Sequence, residues 1–564
     1  MKTLIALRHD IISALASILG ISRDRLDKVD VTLNVDKGSE FGDVSCNAAL
    51  VLSKITQTAP KDLANKLKTE LLERAKTEKP LSSISSIEIA GPGFLNITFD
   101  KKLWGTICQE LLDTPEADCQ IADSEKKRYL VEFVSANPTG PLHLAHGRNA
   151  IIGDVLCRVL KFVGHDVTRE FYINDAGNQM HRLGRSLQAL YRELEGAGAD
   201  FPEDGYKGQY LKDVAQELKN EFGAEILEEP VEYFINYGYK KMLNLIKSDL
   251  QLYGVSFDNW VSERSLYDNG DLKKSIQALT DKGFTYEADG ALWFKSSEFG
   301  DEKDRVLVKE TGEPTYIAPD IAYHQTKFDR GYDHILDIMG QDHHGYVTRL
   351  KATMQALGND ASKLDVILYQ MVHIKKGDVF VRMSKRAGNF ETLASVIEIV
   401  GKDVARYFYL NRKAEAHLEF DLDVALKKSE ENPVYYIQYA FVRTFAILEK
   451  AEKEAIFENF VMHLRSKKLN ANNFVFENDE IALIKKIVSL ESILKTIAST
   501  YHTHMLAFYT FELAKQFHSF YAHNRVIDAA DTARSEHRLA LTMMVRQTLQ
   551  ICLDLMGLDQ PQQM

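Results

Sequence analysis

The strongest constraint on the fold lies between Tyr129 and Ile173, where YLVEFV, a loop broken by Pro138, Gly140 and Pro141, the segment HLAHGRNAIIGDVLCRVLKFVG and then HDVTREFYI come one after another. YLVEFV is a mostly apolar run of the kind a strand buried on both faces requires. The prolines and the glycine end it. From His143 onward apolar residues recur at helical spacing, and a second strand comes after one helix. Strand, loop, helix and strand in that order form a βαβ unit, which commits the region to a parallel sheet. Further strands are expected at PTYIAPDIAY, YDHILDIMG and LDVILYQMVHI, with loops after their C-terminal ends. The charged, helical stretch from about 185 to 300, closing on ALWFKSS, is expected to be an insertion between two halves of this α/β domain.

The chain has 564 residues, enough for about three or four domains. Residues 1–115 read as an α+β unit. Leu4, Leu7, Ile11, Leu15 and Leu19 share one helical face, SEFGDVSCNAALVLSK runs from a turn into a helix, and IEIAGPGFLNITF alternates around Gly91-Pro92-Gly93 as a hairpin. DTPEADCQIADSEKK is a linker, the α/β domain spans 125–410, and 411–564 is almost wholly helical. The fold class is therefore α/β, a Rossmann-like parallel-sheet domain flanked by an α+β N-terminal domain and an all-α C-terminal bundle. Sixty-nine Lys and Arg against 81 Asp and Glu give a net charge of -12, which excludes a generally basic nucleic-acid binder and leaves room for a local basic groove. Cys46, Cys108, Cys119, Cys157 and Cys552 contain no CxxC pair, so neither a disulfide framework nor a zinc knuckle is expected. Arg8, His9 and Asp10 interrupt the apolar N-terminus before a signal peptide's core could form. With no uncharged apolar run of about 18 residues, a soluble, cytoplasmic chain without a membrane partner is expected.

Two polar motifs carry chemistry. His143 and His146 open the helix after the Pro-Gly loop, where backbone N–H groups and the helix dipole favour an anion such as a nucleotide triphosphate. A metal reading lacks a further ligand at metal spacing, so no protein-held metal is expected. Met383, Ser384, Lys385 and Arg386 lie in the loop KKGDVFVRMSKRAGNF, whose glycines allow it to move cations onto phosphate oxygens. Taken singly, the first motif also reads as a helix cap and the second as a solvated basic turn.

Together they resemble one family. VEFVSANPTGPLHLAHGR is similar to the HIGH segment of class I aminoacyl-tRNA synthetases in its arginyl form, and VRMSKRAGNF to the matching KMSKS loop. FYINDAGNQ, YIAPDIAYH, GQDHHGY, NPVYYIQYAFVR, ELAKQFHSFY and VRQTLQICLDLMGL resemble arginyl-tRNA synthetases in the same order, and GDVSCNAALVLSK and AGPGFLNITF their N-terminal domain. The resemblance covers essentially the whole chain. It implies ligation of L-arginine to tRNA(Arg) with ATP and Mg²⁺, through arginyl-adenylate, by a monomer. His143, His146 and Lys385 would be catalytic. His143, His146, Gly147, Met383, Ser384 and Lys385 would bind ATP. Glu132, Ser135, Ala136, Asn137, His146, Tyr316, Asp320 and Gln341 would bind arginine, whose permanently charged guanidinium a carboxylate matches bidentately. In the helical C-terminal domain, implied to read the anticodon, Tyr435, Tyr439, Arg443, Tyr521 and Arg525 are the candidate tRNA contacts, set among Tyr436, Phe441, His518 and Asn524. The chain departs from the family pattern at Ala145, at Ala318-Pro319 and at Arg382. A noncatalytic tRNA-binding protein and a small-molecule adenylyltransferase are the competing readings.

Overall fold

The computed structural model describes residues 2–35, 37–116, 119–198, 200–377, 379–381 and 392–564. At the N-terminus, Leu4, Leu7, Ile11 and Leu15 come round to one buried face of the helix Lys2–Leu19, as a 3.6-residue period demands. Strands β1 (Val31–Leu33), β2 (Val44–Cys46), β3 (Ile84–Ala90) and β4 (Phe94–Phe99) form an antiparallel sheet in the order β1-β2-β4-β3. The expected hairpin is β3–β4, with Ala90 opposite Phe94. The stretch expected to run from a turn straight into a helix holds strand β2 before the helix Ala48–Thr56. Val44 and Cys46 face the core while Ser45 bonds Asn34 and Asn96; three residues are too few for a period of two to be legible.

The central domain starts with β5 (Arg128–Glu132), the helix Leu144–Phe162 and β6 (Asp166–Ile173), which pairs parallel to β5 from Arg128↔Asp166 to Glu132↔Glu170. Helices Asn178–Leu194, Gln209–Phe222 and Val231–Leu252 come next. Strand β7 (Asn259–Ser262) then joins the edge of the same sheet beside β6. The stretch expected as one insertion thus supplies a strand of the central sheet. Its last two strands, β8 (Thr285–Ala288) and β9 (Ala291–Phe294), form a small antiparallel layer with β10 (Arg305–Val308). Strands β11 (His334–Gly340) and β12 (Leu364–Tyr369) complete a five-stranded parallel sheet in the order β12-β11-β5-β6-β7. The winding reverses between β5 and β11, and in such sheets ligands bind outside the carboxyl ends of the strands at that point.

YIAPDIAY, expected to be a strand, is instead the start of the helix Ile317–Asp329. Ile317 and Ile321, and Ala318 and Ala322, are buried at i, i+4 spacing, and Pro319 falls in the first turn, where its missing N–H has no intrahelical partner to lose. Beyond the sheet, β13 (Val372–Lys376) pairs antiparallel with β14 (Val379–Val381) and parallel with β15 (Leu418–Asp421).

The C-terminal region is a bundle of helices including Pro433–Lys453, Asn478–Val488, His504–His523 and Thr532–Met556. One fully buried guanidinium ties it to the central domain: Arg406 donates to the carbonyls of Met556 (2.7 Å) and Tyr253 (2.6 Å) and to Asp154 (2.6 Å). Lys485 with Asp43 (2.7 Å) and Lys101 with Glu477 (2.7 Å) fasten the N-terminal domain to the bundle. All five cysteines are buried and free, and burial pushes the Cys46 and Cys119 thiols up to about 12. Among the described residues no helix is long and apolar enough to cross a membrane.

Candidate active site at the switch of the parallel sheet

The carboxyl ends of β5 and β11 bring Glu132 and Asp337 side by side, and the helix Ile317–Asp329 lays His324 and Lys327 over them. Lys327 Nζ bonds Asp337 at 2.7 Å and also Glu132, and His324 Nε2 bonds Asp337 at 2.8 Å. Glu132, His324 and Asp337 would suit a metal by residue type, but the Lys327 ammonium sits among them. Burial works against its charge, yet Asp337, Glu132 and Glu170 hold its pKa above the usual lysine value. Both oxygens of Glu132 are engaged, one by Lys327 and the other by Ser135 Oγ at 2.7 Å. A second buried pair stands behind: Glu170 takes Arg330 (2.5 and 2.8 Å) and the Tyr323 hydroxyl (2.8 Å).

After β5 the chain turns through two left-handed residues, Val134 (φ 68°) and Ser135 (φ 42°). Ser135 Oγ thereby also accepts from the Tyr172 backbone N–H at 3.1 Å. Ala136 is buried and Asn137 exposed on the same loop, and Gln341 stands half-buried directly after β11.

Asp320 and Glu263 make this end of the sheet acidic. Burial raises the Asp320 pKa while a hydrogen bond from the Tyr346 hydroxyl opposes the rise. Glu263, the first residue after β7, is pushed up to about 7 by burial and by the charges of Asp320 and Asp175. Asp175 fixes that turn by bonding Ser262 Oγ (2.7 Å) and the Arg264 N–H (3.0 Å). The Tyr172 hydroxyl is buried beside them and, facing Glu263, opposes part of that rise. Tyr316 stands at the N-cap of its helix and is 78% exposed, one turn from Asp320 and near Tyr346. Glu263 and Lys327 are residues the sequence analysis did not single out. For Lys327 a signal existed: Asp320, His324 and Lys327 are polar residues at i, i+4 and i+7 on a largely buried helix. Glu263 had none short of knowing that β7 joins the sheet.

His143 and His146 begin the helix Leu144–Phe162 with their rings stacked 3.7 Å apart. His146 Nδ1 accepts from the His143 N–H at 3.2 Å. Burial, helped by His143, lowers His146 to about 3, and burial lowers His143 too. At neutral pH the two imidazoles are therefore uncharged, and any contact they made with an anion would be a hydrogen bond and not an ion pair. Gly147 packs inward: a Cβ there would lie 2.4 Å from Leu393 Cδ1 and 2.8 Å from the Tyr409 hydroxyl. Met383, Ser384, Lys385 and Arg386 lie outside the described residues. The segment after them returns to the histidine motif, with the Leu393 N–H donating to the Leu142 carbonyl at 2.7 Å.

In the C-terminal bundle, Arg443 lies over the rings of Tyr439 (4.6 Å) and Tyr521 (4.8 Å) and donates to His518 Nδ1 at 2.8 Å. Tyr435 stacks 6.3 Å from Tyr439. Tyr439 and Tyr521 are 40% and 39% exposed, whereas Phe441 belongs to the core. Arg525 is exposed but turned into its own loop, its Nε bonding the Ile527 carbonyl at 3.0 Å.

Comparison with known proteins gives three family matches along the chain. Residues 6–99 match the arginyl tRNA synthetase N-terminal domain, 107–415 the catalytic domain of class I (R) tRNA synthetases, and 437–564 the DALR anticodon binding domain. The arginine–tRNA ligase 1 of Halalkalibacterium halodurans is 42% identical over 562 residues, covering 99% of this chain and 98% of its own. The arginine–tRNA ligase of Oceanobacillus iheyensis is 40% identical over 539 residues, 95% of this chain and 94% of its own. Among solved structures, an arginyl-tRNA synthetase from Campylobacter jejuni superposes with a TM-score of 0.75 at 35% identity, over 83% of this chain and 100% of its own. That of Thermus thermophilus shares the fold, with a TM-score of 0.71 at 19% identity over 99% of this chain and 100% of its own. Three domain matches in order, and relatives this similar over nearly their full length, mean that the chain belongs to the arginyl-tRNA synthetase family of class I aminoacyl-tRNA synthetases.

Proposed function

We propose that this chain is an arginine–tRNA ligase that activates L-arginine with ATP, accompanied by Mg²⁺ as part of the substrate, and passes the arginyl group to tRNA(Arg). The observation that carries the reading is the pair of desolvated carboxylates, Asp320 and Glu263, beside the buried Tyr172 hydroxyl at the switch of the sheet. A guanidinium is always charged and offers a planar fork of donors, so it satisfies both carboxylates and relieves their repulsion. Tyr316 at the helix start is placed to close over it.

Ser135, Ala136, Asn137 and Gln341, with His146, would hold the α-amino and carboxylate groups, and Glu132 acts on the same end through Ser135. The arginine carboxylate attacks the α-phosphorus of ATP; a new P–O bond forms, the bond to the bridging oxygen breaks, and diphosphate leaves. The nucleophile is already ionised, so the protein's work is alignment and stabilisation of the charge that grows on the leaving group. His143 and His146 donate hydrogen bonds there, Gly147 lets their helix approach Leu393, and Lys385, with Met383 and Ser384, would bring a cation from the basic loop. A hydroxyl of the terminal tRNA ribose then attacks the arginyl carbonyl and releases AMP. The Tyr435, Tyr439, Tyr521 and Arg443 surface offers stacking faces to unpaired anticodon bases, and Arg525 a phosphate contact. We read the enzyme as a monomer, as the resemblance of its motifs implies. The test is charging of bulk tRNA with labelled arginine, lysine or other amino acids in the presence of ATP and Mg²⁺. Charging with arginine alone is expected; charging with another amino acid, or none, would overturn the reading.

A further inference from the structure

The strand ladder between β5 and β11 runs from His334↔Tyr129 to Asp337↔Glu132 and stops there, although β11 continues to Gly340 against β12. Past that point the Val134 N–H and the Ile338 carbonyl, which face the gap from either side, have no strand partner. The side chain of Asn149, buried on the helix that His143 begins, fills both needs. Its Oδ1 accepts from the Val134 N–H at 2.9 Å and its Nδ2 donates to the Ile338 carbonyl at 2.9 Å. A carboxamide thus substitutes for a peptide unit at the place where the sheet opens.

What it holds is costly to hold. Val134 is β-branched and sits at φ 68°, with Ser135 next at φ 42°, a region that branched side chains rarely enter. This turn aims Ser135 Oγ at Glu132 and at the Tyr172 N–H and carries Ala136 and Asn137 across the end of the sheet. We infer that Asn149 is a positioning residue for arginine binding, bridging the diverging strands β5 and β11 and keeping the left-handed Val134–Ser135 turn in place. The inference rests on the assignment of this pocket to arginine.

The test compares the full-length wild type with Asn149→Ala, Val134→Gly and the double variant, in charging of bulk tRNA with ATP and Mg²⁺ and with melting temperatures recorded. Asn149→Ala is expected to raise the KM for arginine about tenfold while the KM for ATP stays within about twofold, since the bonds that Asn149 makes to Val134 and Ile338 run to the strands and not to the histidines that precede it on the helix. Glycine tolerates φ near +60° without steric cost, so the double variant should regain most of the arginine KM although its melting temperature falls no less than that of Asn149→Ala. A merely structural asparagine would give no such recovery. If Asn149→Ala does not fold, Asn149→Ser, whose hydroxyl is too short to span the gap, serves in both comparisons. An arginine KM that does not change, one that rises together with the ATP KM, or a double variant without recovery would overturn the inference. A wild type that charges no arginine would instead overturn the assignment of the pocket.

Discussion

Replacing Asp320 by Asn keeps the shape of the side chain and an acceptor for the Tyr346 hydroxyl, but removes one negative charge from the proposed guanidinium pocket. Breaking one side of a buried ion pair costs about 3–5 kcal/mol. Glu263 stays behind as a second carboxylate, so the lower end, about 3 kcal/mol, is the appropriate figure, corresponding to about 100-fold in kcat/KM for arginine. The KM for ATP should stay within about twofold. Coupling between the carboxylates gives a second signature. In the wild type burial, and then Asp320 and Asp175, push the Glu263 pKa up to about 7. Only its ionised form pairs with a guanidinium, so the arginine KM should rise as pH falls below about 7. With Asp320 neutralised one cause of the raised pKa is gone, and the inflection should move to lower pH. The assay is tRNA charging at saturating ATP from pH 5.5 to 8.5. A kcat/KM within about threefold of wild type, or an inflection that does not move, would refute the reasoning.

The same geometry sets other outcomes. Because the folded-state pKa of Glu263 is raised, its contribution to stability is fully present below its ordinary value near 4.5 and is lost as pH rises through about 7. Glu263→Gln should therefore melt higher than wild type at pH 8 and no differently at pH 4, in scans without arginine. Arg406→Ala strips donors from the Met556 and Tyr253 carbonyls and a cation from Asp154; a loss of about 3 kcal/mol in denaturant unfolding is expected, and less than about 1 kcal/mol would contradict it. Arg443→Ala removes the guanidinium between Tyr439 and Tyr521. It should weaken tRNA binding about tenfold and flatten its salt dependence, leaving the arginine KM unchanged in charging assays.

Local pattern carried much of the architecture. The buried run YLVEFV, the break at Pro138 and Pro141 and the helical period after His143 are properties of neighbouring residues, and they specify β5, the histidine helix and β6 before any distant contact forms. The amphipathic helix at Lys2–Leu19 and the β3–β4 hairpin are equally local. Helix Ile317–Asp329 was legible in principle, but its apolar run is short and its proline reads as a break unless the helix start is known. Other features depended on pairing across long separations. Strand β7 is four residues of partly buried sequence among helices, recognisable only by its register against β6, and that register alone sets Glu263 near Asp320. Lys327 reaches Glu132 across 195 positions, and Asn149 acts because β5 and β11 diverge where they do. Sequence by itself determined the strongly patterned elements, β5, β6 and the helices Lys2–Leu19 and Leu144–Phe162 among them, and where the two polar motifs fall, because periodicity and turn chemistry act over a few residues. Tertiary structure alone decided which carboxylates are desolvated together and which backbone groups are left unpaired at the mouth of the sheet, because burial and charge coupling depend on distances in space that no spacing along the chain encodes.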